Sequence, residues 1–170
     1  MSSILYSISK EINKVFPAKS AHAHCDIPCG IYDPHEALVA AHTVIRMIEL
    51  TEQLKTKENE MSKEDYIHAI ARYTATKEQY AERCKHEIRV IWGDYFKPEN
   101  VQQFPEIHEL VWKVMKLGSK SKQEMHMADA EGLLETVNQI AEIFWKTKNI
   151  ETVRIKSFYP TGRDMVYPKT

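Results

Sequence analysis

Between Glu36 and Lys148 the apolar residues return every three or four positions, with no sustained alternation between apolar and polar. That rhythm builds helices and disfavours sheets. Leu38, Ala41, Ile45 and Ile48 mark one face of a helix running from Glu36 to about Thr56. A second helix is predicted to begin after Ser62, with Asp65 completing a capping box. Its stripe runs Tyr66, Ile70, Tyr73, Tyr80, Cys84, Ile88 and Ile91, and it ends near Trp92. Ile107, Leu110, Val111, Val114 and Leu117 share a third face, with Gly118 as the stop signal. Met127, Ala130, Leu134, Val137, Ala141 and Phe144 line a fourth helix over roughly 126–148. The segment from Gly93 to Pro105 holds two prolines and reads as a loop. The predicted fold is therefore all-α, an up-and-down four-helix bundle.

Composition narrows the possible functions. A chain of 170 residues fits one domain, which buries roughly two-thirds of its unfolded surface. No apolar run approaches the ~20 residues of a membrane span. A net charge of −1 and a pI near 6.7 argue against nucleic acid as a partner. Three cysteines make no disulfide framework, and their odd number points to reduced thiols or metal binding. Reduced thiols and the absence of an export signal fit a cytoplasmic protein.

Four regions follow. Residues 1–23 read as a leader to be cleaved, in which Lys10, Lys14 and Lys19 outnumber Glu11. Polar residues separate Ile4, Leu5, Ile8, Ile12 and Val15, so the segment lacks the apolar core of an export signal. Ala21-His22-Ala23 has the small-x-small form of a cleavage site. Residues 24–34 (HCDIPCGIYDP) form a hook in which proline and glycine oppose both helix and strand. Residues 35–148 make the bundle, and residues 149–170, with Pro160, Gly162 and Pro168, are expected to lie extended over its surface.

The chemistry concentrates in the hook. Thiolate and imidazole suit copper, nickel, zinc or iron–sulfur. Structural zinc usually requires a second ligand pair well downstream, which the run His24-Cys25-Asp26-Ile27-Pro28-Cys29 does not supply. Adjacent ligands such as His24 and Cys25 suit a planar arrangement in which backbone nitrogens also bind, the geometry of nickel(II) or copper(II). Cleavage after Ala23 would give His24 a free α-amine. The His24 amine and imidazole, the Cys25 amide nitrogen, and the Cys25 and Cys29 thiolates would then make five ligands. Before cleavage the His24 nitrogen is an amide and a poor donor, so processing would switch the site on.

HCDIPCGIYDP closely resembles the hook of the nickel-containing superoxide dismutases. The likeness continues in WGDYFKP (Trp92 to Pro98), FPEIHELV (Phe104 to Val111) and IFWKTK (Ile143 to Lys148). It implies one nickel ion per subunit, a four-helix bundle and a homohexamer. It also implies disproportionation of superoxide to oxygen and hydrogen peroxide. The His24 amine, Cys25 amide and both thiolates would hold nickel in one plane, and the His24 imidazole would bind axially in the oxidised state. Anionic sulfur and a deprotonated amide bring nickel(III) within reach, which water ligands cannot do.

By the same resemblance, Tyr32 stands beside the open axial face and restricts access to small anions. Asp26 and the backbone at Pro28, in a cis peptide after Ile27, fix the shape of the hook. Trp92, Asp94, Tyr95 and Lys97 form the wall on which it rests. One departure stands out. Family members hold the axial histidine with a glutamate in the first helix, paired with an arginine in the second; the corresponding positions here are Ala40 and Tyr80. Tyr80, Glu36 or a backbone carbonyl is the expected substitute.

Plainer readings attach to the remaining residues. A disulfide between Cys25 and Cys29 is an oxidation product and not the working state, and Cys84 packs as a small hydrophobe. His35, His42, His68, His86, His108 and His126 read as surface or capping histidines. Arg154, Lys156 and Arg163 belong to a loosely docked tail that could touch a neighbouring subunit. The rival functions are a nickel or zinc carrier using the same hook and a structural bundle with no metal. Besides superoxide and further copies of itself, the chain would need a maturation protease.

Overall fold

Residues 29–169 are described by the computed structural model. Asp33 and Pro34 end the hook and start the first helix: the Asp33 carboxylate accepts from the His35 N–H at 2.7 Å, satisfying a donor that the first turn leaves unpaired. Helix α1 (His35–Lys55) follows, and its predicted stripe of Leu38, Ala41, Ile45 and Ile48 is fully buried. After a 3₁₀ turn (Glu58–Glu60), helix α2 (Lys63–Val90) is capped by Ser62, whose Oγ accepts from the Asp65 N–H at 3.1 Å. The capping box differs from the expected form. Ser62 Oγ also donates to the Asp65 carboxylate at 2.7 Å, tying the two side chains directly.

A five-residue π turn (Ile91–Tyr95) widens the end of α2. The expected loop beyond it contains a short helix α3 (Pro98–Gln103). Proline at a first helical position sacrifices no hydrogen bond, and the Asn100 side chain accepts from the Lys97 N–H at 3.0 Å. Pro98 thus starts a helix where it was read as a breaker. Helices α4 (Ile107–Gln123) and α5 (Met127–Thr147) complete the bundle. The long helices pack in a ring, α1 against α2 and α5, and α4 against α2 and α5.

Gly118 does not stop α4, which runs on to Gln123. A side chain there would come within 2.7 Å of the Lys85 stem, so this glycine lets α2 cross closely. The end of α4 is closed by Lys77 of α2, only 1% exposed. Its ammonium donates to the carbonyls of Ser121 (2.5 Å), Lys122 (3.1 Å) and Glu124 (2.7 Å). A cation here satisfies the orphan acceptors and the negative end of the helix dipole. The predicted stripe of α2 is buried only from this point on, at Cys84, Ile88 and Ile91; Tyr66, Ile70 and Tyr73 stay half-buried.

Asn149 takes a left-handed conformation (φ 56°) and the Ile150 N–H returns to the Trp145 carbonyl at 3.0 Å, which ends α5. The tail then pairs with itself. Strands β1 (Thr152–Lys156) and β2 (Asp164–Pro168) form an antiparallel hairpin in which Ile155 faces Met165. The hairpin is docked, not loose: Met165 and Val166 are buried against the bundle. Asn138 of α5 satisfies the outer edge of β2, accepting from the Val166 N–H at 2.9 Å and donating to the Asp164 carbonyl at 3.1 Å. Arg154 pairs with Glu135 and Glu142, and Arg163 with Glu49 and Glu131, all within this chain.

Candidate metal centre

Cys29 is an exposed cysteine at the head of the described chain. Its Sγ accepts from the Ile31 N–H at 3.4 Å. Gly30 (φ 71°) makes the bend that brings that N–H round. His24, Cys25, Asp26 and Pro28 lie outside the described residues. What the structure shows of the donor set fits a soft or borderline metal: an accessible sulfur, held on a hook tied to the first turn of α1.

The other half of the site is the wall. The Tyr32 ring packs against Tyr95, with centroids 5.6 Å apart. Tyr95 is seated on Phe144 (4.6 Å) and Phe96 (5.3 Å), with the Lys148 ammonium 5.4 Å above its ring. The Tyr95 hydroxyl meets Thr147 Oγ1 at 2.6 Å, and Thr147 donates its own proton to the Phe144 carbonyl at 2.7 Å. Tyr95 must therefore be the donor to Thr147, which fixes its ring and commits its proton. The π turn presents Tyr95 inward while Asp94 and the following Lys97 stay exposed. Trp92 turns outward, donating from its indole N–H to His108 Nδ1 at 2.9 Å. Among the described residues, Tyr95 thus touches the hook segment through Tyr32.

Ala40 is completely buried and Tyr80 half-buried. One helical turn away, Glu36 of α1 forms an ion pair with Arg83 of α2. The Arg83 guanidinium also stands 5.9 Å over the Tyr80 ring.

Several residues lie away from this centre. Cys84 is buried, and burial, reinforced by Glu87, pushes its thiol up to about 12, so it packs and does not ligate. His42 corrects the reading of surface histidines. It is 3% exposed, with Nδ1 2.8 Å from Thr161 Oγ1, and burial together with the Arg163 cation pushes its imidazole down to about 4. Glu124, His126 and Asp129 converge at the surface. Lys120 already lies 3.6 Å from Asp129, and the start of α5 adds a positive dipole, so the cluster disfavours a cation. No helix among the described residues is long and apolar enough to cross a membrane.

Residues 19–148 match the family model described as nickel-containing superoxide dismutase. This chain belongs to that family. Nickel superoxide dismutases from Streptomyces coelicolor and Streptomyces seoulensis are each 39% identical to it over 132 residues, 78% of this chain and 93% of the relative. A native crystal structure of nickel superoxide dismutase superposes with a TM-score of 0.62 at 39% identity, covering 74% of this chain and 99% of that one. A structure with nickel ligation corresponding to the oxidised state gives a TM-score of 0.63 over the same shares. As a nickel-containing superoxide dismutase the chain is an oxidoreductase that dismutates superoxide with nickel as its cofactor, and neither the carrier nor the purely structural reading is favoured. The family match ends at Lys148, leaving the hairpin outside it.

Proposed function

We propose that the dismutase is made as a precursor, and that a cytoplasmic protease activates it by removing residues 1–23. His24, Cys25 and Cys29 would hold the nickel, which would supply a Ni(II)/Ni(III) couple for the disproportionation of superoxide. The observation that carries this reading is the exposed Cys29 thiol, on a hook whose Tyr32 packs against the anchored Tyr95. Tyr32 restricts the approach to superoxide-sized anions. Tyr95, its proton committed to Thr147, holds Tyr32 in place. Asp26 and Pro28 shape the hook, and Trp92, Asp94 and Lys97 complete the wall, Lys97 drawing in the anionic substrate.

The Glu36–Arg83 pair takes over the support of the His24 imidazole. In antiparallel helices, one step of a turn backward on α1 matches one turn forward on α2. Glu36 and Arg83 therefore stand in register with each other, as Ala40 and Tyr80 do. The family resemblance also supports a homohexamer with one nickel ion per subunit.

An added alanine tests the processing step. In a chain beginning Ala-His24, the ligating amine becomes an amide, so nickel affinity and activity should collapse while helicity stays unchanged. Activity that survives the extra residue would refute the role of cleavage.

A further inference from the structure

The hairpin, which the family match does not cover, presents a knob beside a hole. Phe158 is 93% exposed at the tip of the loop between β1 and β2. That loop is braced. The Ser157 N–H bonds the Arg163 carbonyl and the Gly162 N–H bonds the Tyr159 carbonyl, both at 3.0 Å. Thr161 is fastened to His42, and Arg163 to Glu49 and Glu131. A fully exposed aromatic on a rigid loop has lost little entropy still to lose on binding, the usual character of an interface anchor.

Beside it in the chain, a half-open cavity of about 180 Å³ lies between Val39, His42, Thr43 and Arg46 of α1 and Tyr159, Pro160 and Thr161 of the loop. An apolar cavity of about 150 Å³ holds a benzene molecule, so this one has the size for a phenyl ring. Phe158 cannot enter it in its own chain, where it points into solvent. Charge distinguishes the two sides as well. Lys156 flanks the knob, and Glu52 lines a groove that adjoins the cavity at Arg46 and Pro160. Both are exposed, and neither forms an ion pair among the described residues.

We propose that the hairpin is a self-association element: Phe158 of each copy fills the cavity of a second copy around a two-fold axis, with Lys156 of one facing Glu52 of the other. A different protein would have to supply both a knob and a hole. A second copy supplies both, because an isologous contact pairs each surface with itself. The contact is independent of the nickel site.

Sedimentation of the full-length chain over a dilution series tests this, since mass is read without reference to nickel or activity. Phe158→Asp removes the knob at a position where folding does not depend on it, and Thr43→Trp fills the hole. Each variant alone should dissociate at a concentration about tenfold to hundredfold higher than the parent. An equimolar mixture should recover part of the loss, because one copy still offers a cavity and the other a knob. Superimposable curves for the parent and Phe158→Asp would overturn the proposal. So would a loss with Phe158→Asp that Thr43→Trp, with helicity intact, does not share.

Discussion

Glu36 and Arg83 join the first turn of α1 to the middle of α2, one turn from Ala40 and Tyr80 on their respective helices. The exposed position of this ion pair makes it weak as a source of stability, since exposed ion pairs contribute about 0–1 kcal/mol. The proposed role of this pair is to support the His24 imidazole in place of Ala40 and Tyr80.

Replacing Glu36 by Gln removes the charge and keeps the shape. In the trimmed, nickel-loaded enzyme we expect a loss of activity of about 10- to 100-fold, the usual effect of losing a ligand's supporting partner. Nickel content should hold, and the nitrogen hyperfine splitting of the oxidised metal's spin-resonance spectrum should change. An unaltered rate and spectrum would remove Glu36 from the site.

Cys25→Ser and Cys29→Ser should each abolish dismutation while leaving the far-ultraviolet dichroism unchanged, because Cys29 lies on an exposed hook outside the core. Retained activity in either variant would contradict the ligand assignment.

Lys77→Met keeps the apolar stem and deletes three hydrogen bonds to the end of α4. Stranded carbonyls cost about 1–3 kcal/mol. A fall in unfolding free energy of about 2 kcal/mol in urea is expected, with no change in nickel stoichiometry. Undiminished stability would mean that water replaces the ammonium without penalty.

His42 makes stability depend on pH. Burial first, and the Arg163 cation second, lower its folded value to about 4 from an ordinary 6.5. Between those values the unfolded chain binds the proton and the folded chain does not. Stability from this residue is therefore full above about 6.5 and declines as pH falls toward 4. In the parent, the urea midpoint should drop across that window. In His42→Gln, which can still bond Thr161, the drop should be smaller. Equal slopes would mean that His42 is solvated when the protein is folded.

The bundle was legible because its signal is periodic: α1, α4 and α5 bury most of the residues their spacing marks, with Leu110, Leu117 and Met127 half-buried at the edges. In the hook, metal-binding residue types crowd into six positions, of which the described residues include Cys29. The hairpin was missed for a physical reason. Its strands are five residues each, so the alternation of β1 (TVRIK) is brief, and β2 shows none because it buries Met165 and Val166 in succession. What holds it is tertiary, a buried Asn138 and two arginine clamps, and neither leaves a local pattern. His42 and Lys77 escaped for the same reason, since their partners lie 119 and 44 or more residues away. The sequence left Tyr80, Glu36 or a backbone carbonyl as possible supports for His24; the Glu36–Arg83 ion pair is a contact only the packed helices show.

The most direct measurement is the catalysed decay of superoxide by a chain beginning at His24 and loaded with one equivalent of nickel(II), beside the full-length chain treated identically. Rapid catalytic decay from the trimmed chain alone is the predicted result, tying metal, ligands and activation to one event. Equal rates from the two chains, or tight nickel binding by the trimmed chain without catalysis, would contradict the account.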